Sequence, residues 1–301
     1  MKIFYTDHYV LPLPDGHRFP MAKYAKLRQR VVAEGLNGDE PLLAPAAASD
    51  GEILRAHDRG YLDCVKQGML TPAEVRRIGL PWSPQMVERS RRSSGATIEA
   101  CRAALEQGVG VNLAGGTHHA FRGHGEGYCV FNDAAIAALA MQAEGRAQRV
   151  VVIDCDVHQG NGTASILAGD PSVFTLSIHG ANNFPFRKEA SDLDIELPDG
   201  TGDDDYLTAL EPAVCHALSA CRPDLAIYLS GADPHEDDRL GRLALSAAGL
   251  DRRDRLVFGL LREAGVPAAV AMAGGYGVDI DVTVGIHLAT VRAARDLLAH
   301  A

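Results

Sequence analysis

A short run of acidic residues and histidine directly follows an apolar segment near the middle of the chain. The apolar segment is residues 150–153, and Asp154, Asp156 and His158 follow it on alternate positions. Side chains alternate between the two sides of a strand, so these three are expected to face one side. Two carboxylates and an imidazole form a ligand set that divalent zinc accepts. The spacing therefore predicts a metal site at the end of a buried strand.

A further ligand is available in a second segment of the same kind. Asp233 follows the apolar run of residues 225–229 after a short Ser-Gly-Ala segment. Ligands collect at the carboxyl ends of strands in open α/β sheets. Asp156, His158 and Asp233 would give the three protein ligands of an open catalytic zinc site, with a position left for water. Asp154 could then orient an imidazole, bind a further cation or simply cap the next loop.

Residues with acid–base or donor chemistry follow other apolar runs. His118 and His119 lie at a glycine-rich strand exit, where adjacent histidines could exchange protons, although two structural histidines are the alternative. Asn161 could orient a histidine or occupy a turn. Tyr276, flanked by glycines, could donate to a developing oxyanion or pack on the surface. Tyr128 could line a narrow slot for an aliphatic chain or belong to the core.

The elements that would position these residues alternate along the chain. Apolar runs predict strands at Lys2–Tyr5, Val109–Leu113, Arg149–Ile153, Val173–Ile178, Asp224–Leu229 and Pro267–Met272. Helical periodicity is found at Ser93–Glu106, Asn132–Glu144 and Asp251–Ala264. This alternation predicts an α/β fold with a single open, mainly parallel sheet and helices on both faces. We expect a single domain over residues 1–301, with residues 81–84 in a surface loop.

The composition argues against several classes of function. Acidic residues number 39 and basic residues 29, giving a formal net charge of −10 with no long basic block, so no direct nucleic-acid partner is expected. The six cysteines form no CxxC pair and are expected to be reduced thiols of a cytoplasmic protein. No apolar run approaches membrane-spanning length, so no membrane partner is expected. The sequence gives no prediction of the oligomeric state.

Taken together, the motifs resemble, in order, the motif set of the zinc-dependent histone deacetylase superfamily. The segments are Gly-Gly-Thr-His118-His119, Gly127-Tyr128-Cys129-Val-Phe-Asn132-Asp133, Asp154-Cys-Asp156-Val-His158-Gln-Gly-Asn161, Ser230-Gly-Ala-Asp233 and Gly274-Gly275-Tyr276. They look most similar to bacterial deacetylases related to class IV. The resemblance implies the arginase/deacetylase-like α/β fold, with zinc at the carboxyl ends of the strands.

The resemblance also implies roles for individual residues. Zinc would bind Asp156, His158 and Asp233, as the residue types alone suggest. His119 would be the general base for the attacking water, while His118 would support it electrostatically and help to protonate the leaving amine. Iron(II) is the alternative metal, because Asp-Asp-His sites hold either ion.

Further implied residues lie around these ligands. Tyr276 would donate a hydrogen bond to the carbonyl and then to the tetrahedral oxyanion. The residues implied to bind substrate are Gly127, Tyr128, Gly274 and Gly275. A structural monovalent cation, potassium, would lie near Asp154, Asp156, His158, Ser177 and Ile178. Asn161 stands where many family members carry an aspartate, and a neutral partner should make His119 less basic.

The implied activity is removal of acetyl or another short acyl group from lysine side chains of a protein or peptide. The nearest alternative is an acetylpolyamine amidohydrolase acting on a small acylated amine, since Tyr128 replaces a common phenylalanine in such relatives too. A catalytically silent acyl-lysine-binding module is the alternative of another class. Two histidines and a tyrosine beside the ligands argue against it. A dinuclear manganese enzyme of the arginase type would need more bridging carboxylates.

Overall fold

The computed structural model describes the backbone of residues 1–299 and the side chains of residues 1–296. Within that part of the chain, seven strands form one sheet in the order β1-β2-β7-β6-β3-β4-β5, and every pair of neighbours is parallel. The strands are β1 Lys2–Phe4, β2 Val109–Asn112, β3 Val150–Asp154, β4 Val173–Gly180, β5 Leu193–Leu197, β6 Leu225–Ser230 and β7 Ala268–Met272. The predicted open parallel α/β sheet is confirmed.

Ten helices connect and cover these strands over the described residues. They are α1 Ala22–Ala33, α2 Asp50–Ala56, α3 Arg59–Gln67, α4 Pro72–Ile78, α5 Pro84–Gln107, α6 Asp133–Ala143, α7 Asn161–Leu167, α8 Asp203–Cys221, α9 Ala247–Glu263 and α10 Ile280–Ala299. None of these helices is both long and apolar enough to cross a membrane.

Alternation along the central strands divides the core between the two faces of the sheet. Val150 and Val152 of β3 pack with residues of α5 and α6 on one face. Val151 and Ile153 pack with residues of α8, α9 and α10 on the other. Because both faces are covered, the central strands are apolar throughout, which is why they are recognisable as continuous apolar runs.

Six of the strands agree with the sequence prediction to within two residues at each end, and the seventh is new. The missed strand, β5, has the sequence Leu-Asp-Ile-Glu-Leu and lies at an edge of the sheet with its side chains partly exposed. An edge strand needs only one apolar side, so its pattern alternates and a search for continuous apolar runs overlooks it.

Residues 81–83 form the loop predicted there, but Ser83 is buried and α5 begins at Pro84, inside the predicted loop. Ser83 caps α5 by accepting a hydrogen bond from the backbone of Met86, and Pro84 is the first helical residue. The indole of Trp82 donates to the carbonyl of Val65 at 2.7 Å. A serine followed by proline is a favourable helix start, so this segment anchors the longest helix of the fold.

The carboxyl ends of four neighbouring central strands, β2, β7, β6 and β3, lie side by side. The chain leaves β3 for β4 on one side, whereas β6 lies against β3 on the other side. Such a change of direction opens a crevice beyond the carboxyl ends of the strands. The loops after these four strands carry the candidate catalytic and ligand residues.

Candidate active site

A buried carboxylate shapes the loop after β2. Asp133, the first residue of α6, accepts hydrogen bonds from the backbone of Gly116 at 3.1 Å and of Thr117 at 2.7 Å. The hydroxyl of Thr97, on α5, donates to the same carboxylate at 2.6 Å. These contacts fix the turn immediately before His118, so the two histidines enter the crevice from a rigid loop.

His118 lies against the acidic end of β3. Its Nδ1 is 2.6 Å from Oδ2 of Asp154, and its Nε2 is 3.8 Å from Oδ1 of Asp156. Burial alone would lower the pKa of His118, but the two carboxylates outweigh burial and raise that pKa to about 9. The two carboxylates therefore favour the protonated form of His118.

His119 has a neutral partner in place of a carboxylate. Its Nδ1 donates to Oδ1 of Asn161 at 2.7 Å, and Nδ2 of Asn161 donates to Oε1 of Glu126 at 2.7 Å. Since the Asn161 amide nitrogen is held by Glu126, the amide oxygen must face His119, which leaves His119 Nε2 free to accept a proton. Burial, together with repulsion from His118 and His158, lowers the pKa of His119 well below its ordinary value.

Three residues from two loops converge into a buried cluster of ligand atoms. Atoms of Asp156, His158 and Asp233 lie within 4.8 Å of one another. The backbone N–H of Gly274 donates to Oδ2 of Asp156 at 2.6 Å, and that of Val157 donates to Oδ1 of Asp233 at 2.9 Å. Oδ2 of Asp233 is buried without a hydrogen-bond partner among the described residues. Two carboxylates and one imidazole at these separations fit a divalent cation.

The charges in this cluster also favour a bound cation. Burial, with the nearby carboxylate of Asp156, raises the pKa of Asp233 to about 7. A buried carboxylate whose charge is so disfavoured lacks sufficient positive charge around it. A bound divalent cation would supply that charge, because such an ion is the largest local charge in its site.

A cavity of about 410 Å³ leads from the surface to this cluster. The rings of Tyr128 and Tyr276 lie 5.8 Å apart on one wall, and the ring of Phe184 lies 5.0 Å from that of His119 at 81°. Tyr128 has a left-handed backbone with φ of 67°, which is unusual for a non-glycine residue and common at functional sites. The walls are therefore aromatic, and the end is polar.

Glycines in this cavity allow the backbone to approach reactive side chains. A Cβ on Gly127 would lie 2.7 Å from Cδ2 of His119, and one on Gly274 would collide with Oδ2 of Asp233. Gly275, which was also predicted to bind substrate, does not line the cavity. It has φ of 152° and precedes Tyr276, whose backbone N–H donates to Oδ2 of Asp238 at 2.6 Å. These contacts hold the tyrosine loop over the ligand cluster.

The residues predicted to surround a monovalent cation also lie together. Asp154 is the register partner of Ser177 across the β3–β4 pair, and Ile178 follows in β4. Oδ1 of Asp154 accepts from the backbone of Asp156 at 3.1 Å. The structure thus brings all the predicted site residues to one edge of the sheet, and their roles stay predictions.

Sequence reasoning missed three features of the site: the aromatic wall formed by Phe184, the carboxylate of Glu126 behind Asn161, and three arginines at the cavity mouth. Phe184 lies in the loop after β4, and an aromatic residue after a strand end was the available signal. Glu126 gave no signal, because its contact with Asn161 joins residues 35 positions apart.

The chain is similar in sequence to several known proteins. Residues 17–290 match the family model for the histone deacetylase domain. The chain is 45% identical over 295 residues to an uncharacterized protein of Picosynechococcus sp., covering 98% of each chain. It is 30% identical to the histone deacetylase-like amidohydrolase of Pseudomonas aeruginosa, covering 88% of this chain and 74% of that protein.

A solved structure supports the fold. The crystal structure of a histone deacetylase homolog from Aquifex aeolicus matches with a TM-score of 0.82 and 23% sequence identity. The match covers 99% of this chain and 88% of that one.

Proposed function

The chain belongs to the histone deacetylase family, and we propose that it is a zinc-dependent amidohydrolase that removes acetyl or another short acyl group from lysine side chains. The observation that carries the proposal is the buried cluster of Asp156, His158 and Asp233 beneath two histidines whose pKa values are shifted in opposite directions. A pair of titratable groups whose environments separate their pKa values is typical of acid–base catalysis.

The ligand cluster would hold the metal, with Fe²⁺ as the alternative to Zn²⁺. When bound, such an ion polarises an amide carbonyl and lowers the pKa of water towards neutrality. Nε2 of His119 is free to take a proton from the attacking water, because Nδ1 is committed to Asn161. His118, held by Asp154, would stabilise developing negative charge and supply a proton to the leaving amine.

Tyr276 would donate a hydrogen bond from its hydroxyl to the developing oxyanion. Burial, with like charges nearby, raises the pKa of Tyr276 well above its ordinary value, so the hydroxyl keeps its proton. Gly127, Tyr128 and Gly274 line the cavity, whose aromatic walls suit the aliphatic stem of an acylated lysine. Near Asp154 and Ser177, a potassium ion would brace the end of β3.

The experiment that tests this proposal compares acetyl-lysine peptides with acetylated polyamines on zinc-loaded protein. Tyr276→Phe should lower peptide turnover by about 10²–10³-fold, which is the usual effect of removing one oxyanion donor. His119→Ala should lower it at least as much. Tyr9→Phe, in a half-buried tyrosine outside the cavity, serves as the control.

The outcomes separate the alternatives. Peptide turnover that both active-site variants lose supports lysine deacylation. Preference for polyamines would replace the lysine substrate with a small acylated amine. If neither substrate is cleaved although zinc binds, longer acyl chains are tested next, and failure with them too leaves an acyl-lysine-binding module.

A further inference from the structure

Three arginines surround the open end of the cavity. Arg76, Arg77 and Arg242 line it and are exposed, whereas its carboxylates, those of Asp156 and Asp233, are buried at the closed end. We call these three residues the arginine rim. The chain as a whole carries a formal charge of −10, so a cationic rim is contrary to the general charge of the protein. The rim therefore adds positive charge at the opening that an approaching substrate meets.

The arginines of α4 are held at the rim by backbone contacts. The carbonyl of Arg77 accepts from the backbone of Gly127 at 3.1 Å, and the carbonyl of Ile78 accepts from that of Tyr128 at 2.7 Å. These bonds tie the last turn of α4 to the loop that forms one wall of the cavity. Arg76 and Arg77 are thus positioned next to the slot by the backbone, although their side chains extend into solvent.

The guanidinium groups on α4 have free hydrogen-bonding capacity. Arg242 pairs with Asp199 at 3.2 Å, but Arg76 and Arg77 form no ion pair with any residue described in the structure. Glu74, two residues before Arg76, is held in a capping box with Thr71. A guanidinium binds a carboxylate through two parallel hydrogen bonds, so these two side chains are suited to an anionic partner.

We propose that the arginine rim selects acyl-lysine peptides that carry acidic residues beside the acylated lysine and disfavours cationic substrates, including polyamines. This inference rests on the proposed function, because it concerns the substrate of the same cavity. The exposed ring of Phe186 lies 6.4 Å from that of Phe184 at the same opening and offers an apolar surface to the peptide. The arginines would therefore contact the residues that flank the lysine, outside the slot.

The test uses acetyl-lysine peptides of equal length with aspartate, serine or lysine on both sides of the acetyl-lysine, together with an acetylated polyamine. Peptide binding to zinc-loaded Tyr276→Phe is followed by fluorescence anisotropy, and kcat and KM are measured on the active chain. The aspartate-flanked peptide should bind about tenfold or more tighter than the lysine-flanked peptide at low salt, which two exposed charge contacts can supply. Added salt should reduce the difference because these contacts are exposed.

The matched variants are Arg76→Gln with Arg77→Gln, and Arg262→Gln as control. Arg262 also lies exposed in the last turn of its helix, α9, but that turn leads to the amino end of β7, at the opposite edge of the sheet. The double variant should lose the preference through KM while kcat on the serine-flanked peptide stays unchanged. The control should retain the preference.

Two results would overturn the inference alone: equal handling of all three peptides by the wild-type chain, or a preference that survives in the double variant. If the wild-type chain turned over the polyamine faster than the peptides, both the inference and the proposed lysine substrate would be wrong. Absence of both turnover and peptide binding would instead contradict the proposed function, and the inference with it.

Discussion

The charge of the residue that orients His119 can be changed by one substitution, Asn161→Asp. In the structure the Asn161 amide accepts from His119 and donates to Glu126, both at 2.7 Å. An introduced carboxylate could still accept from His119, but it could not donate to Glu126. Two carboxylates would then meet where a hydrogen bond now lies, so we expect the variant to be less stable.

The size of the loss follows from two competing costs. Two full charges 2.7 Å apart repel by about 6 kcal/mol at an effective dielectric constant of about 20. Protonating a carboxyl group with a reference pKa near 4 costs about 4 kcal/mol at pH 7. Protonation costs less than the repulsion, so the two carboxylates should share one proton at pH 7. The loss of folding stability then cannot exceed about 4 kcal/mol. The Glu126 side chain is 18% exposed, which screens part of the repulsion, and we expect about 2–4 kcal/mol.

The sign of the pH dependence is fixed by this proton. The folded variant holds a proton that the unfolded chain releases. Its unfolding free energy should therefore approach that of the wild type as the pH falls, by up to about 1.4 kcal/mol per pH unit. Urea unfolding of the wild type and the variant between about pH 8 and pH 5 measures this deficit directly.

A double-mutant cycle isolates the contact. Glu126→Gln places an amide opposite the introduced carboxylate and restores a donor, so the double variant should regain most of the lost stability. Glu126→Gln alone should cost little, because its amide oxygen can still accept from Asn161. Additive effects of the two substitutions, or a deficit that does not change with pH, would refute the assigned contact between Asn161 and Glu126.

Three further predictions concern other parts of the fold. Gly274→Ala should abolish zinc binding in calorimetry while circular dichroism stays unchanged, because its Cβ would collide with Asp233. Asp254→Ala should lower the unfolding free energy in urea by about 3–5 kcal/mol, because it leaves the fully buried guanidinium of Arg253 without its carboxylate. Burial lowers the pKa of His57 to about 4, so between pH 6.5 and pH 4 this histidine is protonated in the unfolded chain but not in the folded one. The folded state should therefore lose up to about 3 kcal/mol of stability as the pH falls through this range. In urea unfolding at a series of pH values, His57→Gln should make the stability less dependent on pH over the same range.

Much of the fold was accessible from sequence because its central strands are buried on both faces. Val150 to Ile153 form a continuous apolar run for that reason, and the ligand residues follow the run directly. The edge strand β5 was missed, because a strand with one solvated side carries only three apolar residues in alternation. The start of α5 was misjudged since a Pro-Trp-Ser-Pro segment is typical of a loop until the capping role of Ser83 is seen.

The candidate site could also be predicted from the sequence only in part. Asp156, His158 and Asp233 were predictable as ligands because strand ends of one parallel sheet meet at one edge. The contact of Glu126 with Asn161 and the position of Phe184 depend on how loops pack across the crevice, which local spacing does not encode. The opposite pKa shifts of His118 and His119 also depend on the side chains around them, which local spacing does not show.

The central claim is that amide hydrolysis depends on one divalent ion held by Asp156, His158 and Asp233. The most direct measurement titrates zinc into metal-free protein while acetate release from an acetyl-lysine peptide is followed. Activity should rise in proportion to zinc, reach its maximum at one equivalent per chain and stay absent in Asp233→Asn. Acetate release that is independent of added metal, or that survives in Asp233→Asn, would contradict the account.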